Sequence, residues 1–143
     1  MSKEIFNKIV SKLEKLEKYL KYLKDIQKIN KKSFLKDYHN YGLAERYLQL
    51  SIQIILDIGK LIIIEKNLPK PEDNEETFEE LFKNKIINAK LKKRLHGISG
   101  FRNILVHEYE NINKELVYEK LQNNLQDLHE FHVQIKKFLK KQI

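Results

Sequence analysis

Four side chains capable of chemistry lie close together near residue 100. They are Arg102, Asn103, His107 and Tyr109, in the segment Gly-Phe-Arg-Asn-Ile-Leu-Val-His-Glu-Tyr. An arginine carries a planar, permanently charged group that binds phosphate through two parallel hydrogen bonds. A histidine titrates near neutral pH and can therefore transfer protons. Side chains of these types, at this spacing, favour chemistry on a phosphodiester.

The arginine stands out because nearly all the other basic residues are lysines. Of 28 lysines and arginines, three are arginines, at positions 46, 94 and 102. The net charge of +8 favours a polyanionic partner such as RNA or DNA. Lysines spread over solvated helix faces would give the same charge without any such partner. Net charge therefore supports a nucleic-acid partner without establishing one.

Length and composition predict a soluble protein with one helical domain over residues 1–143. The chain is 41% hydrophobic and 34% charged, with four glycines and two prolines. It has no cysteine, which excludes disulfides, thiolate metal sites and cysteine nucleophiles and is compatible with a reducing cytoplasm. The first residues carry charge and lack the apolar run of a signal peptide. The apolar stretch 52–64 is too short for a membrane span of about 20 residues. We expect a cytoplasmic location.

Apolar residues recur every three or four positions, which predicts helices in the first half of the chain. The first helix covers roughly residues 3 to 28, and Ile29 to Ser33 form a connection. The second helix begins near Asp37 or Asn40, either of which can cap it, and ends at about Lys66. It is apolar nearly all round from Ile52 onward, as in a central helix or a subunit interface. Its predicted packed stripe is Leu43, Tyr47, Leu50, Ile54, Asp57, Leu61 and Ile64.

The second half predicts a loop and three further helices. The loop covers residues 67–76 and holds both prolines. A short helix follows Thr77, whose hydroxyl can cap it with Glu80 as the capping-box partner. The fourth helix spans about Ile87 to His107, and a fifth runs from about Asn113 almost to the end. The predicted fold is an all-α, antiparallel up-and-down bundle of about five helices.

Arg102 falls on the packed stripe of the fourth helix, after Leu91, Leu95 and Ile98. Burying a guanidinium costs several kcal/mol unless it is paired. It therefore needs an acidic partner, an open cleft or an anionic ligand. Asp57 interrupts the stripe of the second helix in the same way, so an internal Arg102–Asp57 pair is one structural explanation.

A second, small and polar face of the same helix carries His96, Gly100, Asn103 and His107. Asn103 lies one turn before His107 and can orient its imidazole. Arg102 and His107 are five residues apart, which is about 140° around an ideal helix. The two side chains therefore face different directions. This geometry predicts that the motif is half of a site that a second subunit completes.

Two glycines precede the motif, and they have two explanations. Gly97 and Gly100 either allow another backbone to come close to this helix or bend the helix over the core.

The motif Arg102-Asn103-x-x-x-His107-x-Tyr109 resembles the HEPN superfamily, and specifically its HepT-like toxin branch. The context agrees over nearly the whole chain. The apolar second helix contains Ala44-Glu45-Arg46 and Asp57-Ile58-Gly59, glycines flank the motif helix, and the last helix is amphipathic.

This resemblance implies a homodimeric, metal-independent ribonuclease without a cofactor. His107 would act as general base on a 2′-hydroxyl or as general acid to the leaving oxygen, and the product would be a 2′,3′-cyclic phosphate. Arg102 would bind the scissile phosphate, and Asn103 would orient His107 or contact the phosphate. The resemblance also implies an antitoxin partner, a minimal nucleotidyltransferase that transfers AMP to Tyr109.

Two other functions fit the residues. The chain could be a non-catalytic helical module that binds a nucleotidyltransferase partner or a nucleotide. It could also be a scaffold in which Arg102 pairs with Asp57 for stability alone. RNA cleavage that depends on His107 separates the ribonuclease from both.

Overall fold

The computed structural model describes residues 1–107 and 113–142, and for His107 the backbone alone. These residues contain seven α-helices and no strand, which confirms the predicted all-α class. The helices are α1 (Lys3–Gln27), α2 (Lys31–Lys36), α3 (Tyr38–Glu65), α4 (Asn74–Lys83), α5 (Ala89–Arg94), α6 (Ile98–His107) and α7 (Lys114–Lys140).

The three long helices α1, α3 and α7 pack against one another and enclose most of the core. The backbone N–H of Ser2 donates to the carboxylate of Glu65, so α1 begins where α3 ends. The Gln27 side chain donates to the Leu121 carbonyl over 3.0 Å at the other end of α1. The helix α1 therefore runs antiparallel to both α3 and α7.

Side-chain caps fix the starts of the long helices. Ser2 caps α1, Asp37 caps α3 and Asn113 caps α7, and each side chain accepts a hydrogen bond from a backbone N–H of the first turn. Asp37 and Asn113 are helix starts that the sequence predicts. Periodicity also predicts the buried face of α1 correctly: Ile9, Leu13, Leu16, Leu20 and Leu23 are all buried.

Two short helices differ from the prediction. The segment predicted as a connection contains α2, which Asn30 caps and which buries Phe34. The helix predicted to follow Thr77 starts earlier, because Asp73 is its cap and accepts from the Glu76 N–H over 2.8 Å. Thr77 instead lies within α4, buried, and its hydroxyl donates to the Asp73 carbonyl over 3.3 Å.

The helix α3 is the central element. Its predicted stripe lies largely on a face that is less buried than the face that packs into the core. Leu43 and Ile64 of that stripe are exposed, Ile64 by 70%. The face that packs most tightly contains Ala44, Leu48, Ile52, Ile55, Ile58 and Ile62. Because α3 carries apolar residues nearly all round, its periodicity does not single out one face.

Length and apolarity alone would allow α3 to cross a membrane. However, 56% of its most apolar stretch is buried within the fold, and five helices (α1, α2, α4, α6 and α7) pack against it. Gly59 admits α4 to this surface, since a Cβ there would lie 2.8 Å from the Thr77 methyl group. The apolar character of α3 therefore builds the core.

Candidate functional site

The motif helix begins at a break in the chain. The sequence predicts one helix over Ile87 to His107, whereas the structure has α5 ending at Arg94 and α6 starting at Ile98. Gly97 separates them with φ of +82°, a left-handed backbone that glycine adopts without steric cost. The break ends α5 and lets α6 start as a separate helix.

Glu75 holds this junction from α4. Its carboxylate accepts from the Gly97 backbone N–H over 2.9 Å, and its second oxygen lies 3.0 Å from His96 Nδ1. His96 is thus outside α6 and engaged with Glu75, so it does not share a helix face with Asn103 as predicted. Sequence gives no signal for the contact between Glu75 and Gly97, because the two residues are 22 positions apart. Glu75 lies in α4, and Gly97 lies between α5 and α6.

Arg94 fixes the other side of the junction to α7. Its Nε donates to the buried carboxylate of Asp127 over 3.0 Å, and its Nη2 donates to the Asn123 carbonyl over 3.0 Å. The hydrogen bond that Arg94 donates to Asp127, together with the negative charge of that carboxylate, raises the pKa of Arg94. Further along, Lys120 Nζ lies 5.6 Å from the Phe101 ring. These contacts show that the chain from α5 into α6 runs antiparallel to α7.

The apolar face of α6 sets the directions of the motif side chains. Phe101 and Leu105 are buried in the core. Arg102 lies between them along the helix and is half-buried, and Asn103 is exposed. Ile104, next in sequence, is 43% exposed.

Asn103 opens into a groove of about 880 Å³ formed by α6, the end of α3 and the start of α4. Ser99 lines it one turn earlier, and its walls carry charges of both signs, from the lysines at 60 and 70 and the carboxylates at 72, 73 and 75. A groove of this kind leaves room for a ligand beside the motif helix.

The Arg102 guanidinium is partly withdrawn from solvent. Its Nε is buried and has no hydrogen-bond partner within residues 1–107 and 113–142. Asp57 does not supply one: it accepts from Gln53 Nε2 over 2.7 Å and lies 3.6 Å from Lys12 Nζ. The expected Arg102–Asp57 pair is therefore not formed, because Asp57 lies on the face of α3 that meets α1.

Two further polar groups of α3 are buried without a partner among the described residues: Glu45 Oε2 and Ser51 Oγ. They lie three residues before and after Leu48, so they share its face of α3. Leu48 lines a small cavity with Ile98 and Phe101, which places that face against α6. Burial raises the pKa of Glu45. The α3 stripe predicted from sequence does not include Glu45, so spacing gave this residue no site role.

The structure describes the rest of the motif only in part. The helix α6 includes the His107 backbone, so the five-residue separation from Arg102 is helical throughout. The His107 side chain and the whole of Tyr109 lie outside the described residues. Of the four predicted residues, the structure therefore locates the side chains of Arg102 and Asn103.

The chain is similar to a described family of nucleases. It matches the family model "Ribonuclease HepT-like" over residues 11–135. A tRNA nuclease HepT of Aphanizomenon flos-aquae is 34% identical over 111 residues, which is 78% of this chain and 76% of that protein. An mRNA nuclease HepT of Shewanella oneidensis is 31% identical over 84 residues, 59% of this chain and 63% of that protein.

A solved structure shares the whole fold. The tri-AMPylated Shewanella oneidensis HEPN toxin, in complex with an MNT antitoxin, superposes with a TM-score of 0.80 at 26% identity. The match covers 96% of this chain and 99% of that one.

The left-handed Gly97 should be required for the α5–α6 junction. Gly97→Ala should lower the free energy of unfolding by about 1 kcal/mol or more, because an L-residue is strained there. Gly100→Ala is the matched control, since it lies within α6 and an added Cβ meets nothing within 4 Å. That variant should be neutral or more stable by up to about 1 kcal/mol. Urea unfolding measures the free energy of unfolding of both variants. An equal change in the two variants would contradict a special role for Gly97.

Glu45 should make stability depend on pH. Because burial raises its pKa in the folded state, ionisation penalises the fold as pH rises above the ordinary value of 4.5. Glu45→Gln should therefore raise the melting temperature at pH 8, and the gain should shrink towards pH 4. Glu14→Gln, on the exposed face of α1, is the control. A lower melting temperature for Glu45→Gln at pH 8 would mean that a cation compensates the carboxylate.

Proposed function

Since this chain belongs to the HepT-like ribonuclease family, we propose that it is a metal-independent endoribonuclease toxin whose site is built from Arg102, Asn103 and His107. The observation that carries the proposal is the half-buried guanidinium of Arg102, whose Nε has no partner in the described residues. A cation held in this way lacks part of its compensation until an anion binds. A phosphate is the anion that the fork of arginine fits best.

The proposed reaction is attack of a 2′-hydroxyl on the adjacent phosphorus. The new P–O2′ bond forms as the P–O5′ bond breaks, which leaves a 2′,3′-cyclic phosphate and a free 5′-hydroxyl. His107 takes the proton of the 2′-hydroxyl or gives one to the leaving 5′-oxygen. Arg102 stabilises the charge that builds on the phosphoryl oxygens. Asn103, which opens into the groove beside α6, orients His107 or contacts the phosphate.

We propose further that the functional unit is a homodimer with composite sites. Positions 102 and 107 are five residues apart on the helix α6, which is about 140° around an ideal helix, so one subunit alone does not place both on one face. In a two-fold dimer, Arg102 of one subunit can meet His107 of the other.

Regulation is proposed to run through Tyr109 and a minimal nucleotidyltransferase antitoxin. The Shewanella relative is described as AMPylated and bound to an MNT antitoxin. Transfer of AMP to the Tyr109 hydroxyl would place a phosphodiester and a nucleoside seven residues after Arg102. The added charge and bulk would occupy the space that substrate phosphate needs. The protein is proposed to act in the cytoplasm, where its RNA substrates are.

An alternative function remains a non-catalytic module that binds a nucleotidyltransferase or a nucleotide. It shares the anion-binding Arg102 with the ribonuclease, and it differs in requiring no proton transfer by His107.

Substitution of the site should abolish RNA cleavage without unfolding the protein. His107→Ala should slow cleavage by about 10² to 10⁴-fold through loss of proton transfer. Arg102→Ala should slow it by about 10² to 10³-fold, and Arg102→Lys should restore only part of the rate. Arg46 and His129 are exposed on other faces, so Arg46→Ala and His129→Ala serve as controls. Gel assays with chelator present measure the rates. Unchanged cleavage in His107→Ala would remove His107 from the chemistry, whereas a wild type that cuts no RNA would support the non-catalytic module.

A subunit-mixing experiment tests the composite site. Arg102→Ala and His107→Ala subunits are each inactive, but a mixed dimer with composite sites retains one intact Arg102–His107 pair. Random re-association should restore about a quarter of the wild-type rate, because half of the dimers are mixed and each has one working site. No recovery would show that each subunit builds its site alone.

Tyr109→Phe should separate regulation from catalysis. Incubation of the wild type with ATP and its cognate nucleotidyltransferase should add AMP, seen by intact mass, and suppress cleavage. The Tyr109→Phe variant should gain no mass and stay active, since it lacks the acceptor hydroxyl. Tyr41→Phe is the control tyrosine. Modification that persists in Tyr109→Phe would move the acceptor to another residue.

A further inference from the structure

An exposed aromatic pair lies at the start of α3. The Tyr38 and His39 rings stack with centroids 4.2 Å apart and planes 29° from parallel. Tyr38 is 66% exposed, and the His39 side chain is 69% exposed. Large aromatic side chains normally bury their surface, so a solvated stack contributes little to the core.

Asp37 holds the pair in place. Its carboxylate caps α3 by accepting from the His39 backbone N–H over 2.9 Å, and it lies 3.0 Å from His39 Nδ1. These two contacts to His39 lower the pKa of Asp37. Asp37 thus fixes the imidazole of His39. The face of Tyr38 that does not stack on His39 remains exposed to solvent.

Lysines of α2 and α7 lie at the end of the molecule where α3 begins. Lys114, at the start of α7, donates to the Leu35 carbonyl over 3.0 Å, and its Nζ lies 5.5 Å from the Tyr41 ring. Lys31 Nζ of α2 lies 5.9 Å from the Tyr118 ring. The exposed Lys36 directly precedes Asp37. This end of the molecule therefore carries three exposed lysines as well as the exposed aromatic pair.

The position of this surface relative to the motif follows from α7. Lys114 contacts Tyr41 near the start of α3, and Lys120 contacts Phe101, the neighbour of Arg102. Six residues of helix separate Lys114 from Lys120, a distance of about 9 Å. The start of α3, with the aromatic pair, therefore lies towards the end of α6 that carries His107 and away from the groove that Asn103 lines at the end of α3.

We propose that Tyr38 and His39, with Lys31, Lys36 and Lys114, form a platform that binds single-stranded RNA next to the cleavage site. An unpaired base stacks on the open face of Tyr38, and the lysines contact the flanking phosphates. Stacking of a base on an exposed aromatic ring tolerates any sequence, and lysines near the ring hold the backbone. The platform deepens the proposed function, since it rests on RNA being the substrate and selects its unpaired segments.

Binding to an oligonucleotide that resists 2′-hydroxyl attack tests the platform. A fluorescent, single-stranded 2′-O-methyl RNA is titrated with the full-length wild-type protein, and anisotropy reports affinity. Tyr38→Ala should weaken binding by about tenfold, the loss of one base stack. Tyr38→Trp should retain affinity, and Tyr38→Leu, which keeps apolar volume without a ring, should behave as Tyr38→Ala. A 2-aminopurine base in the oligonucleotide should be quenched by the wild type and not by Tyr38→Leu.

The lysine contribution is measured by salt dependence. Lys36→Ala should weaken binding and reduce the slope of log affinity against log salt by about one. Lys137→Ala, an exposed lysine near the other end of α7, should leave both unchanged.

The outcomes separate the platform from the nuclease. If unmodified RNA binds through Tyr38 but is never cut, the proposed reaction is overturned and the platform is supported. RNA that is cut while Tyr38→Ala binds and cleaves as the wild type does would overturn the platform alone. A change in oligomeric state on Tyr38→Ala with unchanged RNA affinity would assign the surface to a protein interface and also overturn the proposal.

Discussion

The packing of five helices around the apolar helix α3 is the constraint on which the rest of the structure depends. Burial of its aliphatic side chains, together with those of α1 and α7, supplies the hydrophobic driving force of the fold. The same constraint decides where polar groups can lie. Glu45 and Ser51 have buried, unpartnered atoms on the α3 face that meets α6, and unpaired groups of this kind are costly. The other buried polar residues, Thr77 and Asp127, have hydrogen-bond partners in the Asp73 carbonyl and Arg94.

Two of the three arginines show how differently one residue type can be used in one fold. Arg94 satisfies its guanidinium within the protein, through Asp127 and the Asn123 carbonyl, and ties α5 to α7. Arg102, eight residues later, has a buried Nε without such a partner in the described part of the chain. Arg94 stabilises the fold, whereas the Nε of Arg102 can still donate a hydrogen bond to a ligand. Sequence alone singled out Arg102 and did not foresee the structural role of Arg94.

Periodicity predicts the long helices well because each presents many turns to the core. The starts of α3 and α7 and the buried face of α1 follow from caps and spacing. The helix α2 was missed, since six residues with one buried side chain give no period. Asp73 and Thr77 can both cap a helix, and only packing decides between them. The expected Arg102–Asp57 pair failed for a similar reason: Lys12 and Gln53 reach Asp57 from α1 and α3.

The break at Gly97 has a consequence for how this family can vary. In a continuous helix, one inserted residue would rotate every later side chain by about 100°. Here the left-handed glycine and its hydrogen bond to Glu75 start α6 afresh. Insertions or deletions in the preceding segment can therefore be absorbed before the junction, and the helical phase of Arg102 and Asn103 is preserved. The junction therefore keeps the motif side chains in the same orientation when the preceding segment changes in length.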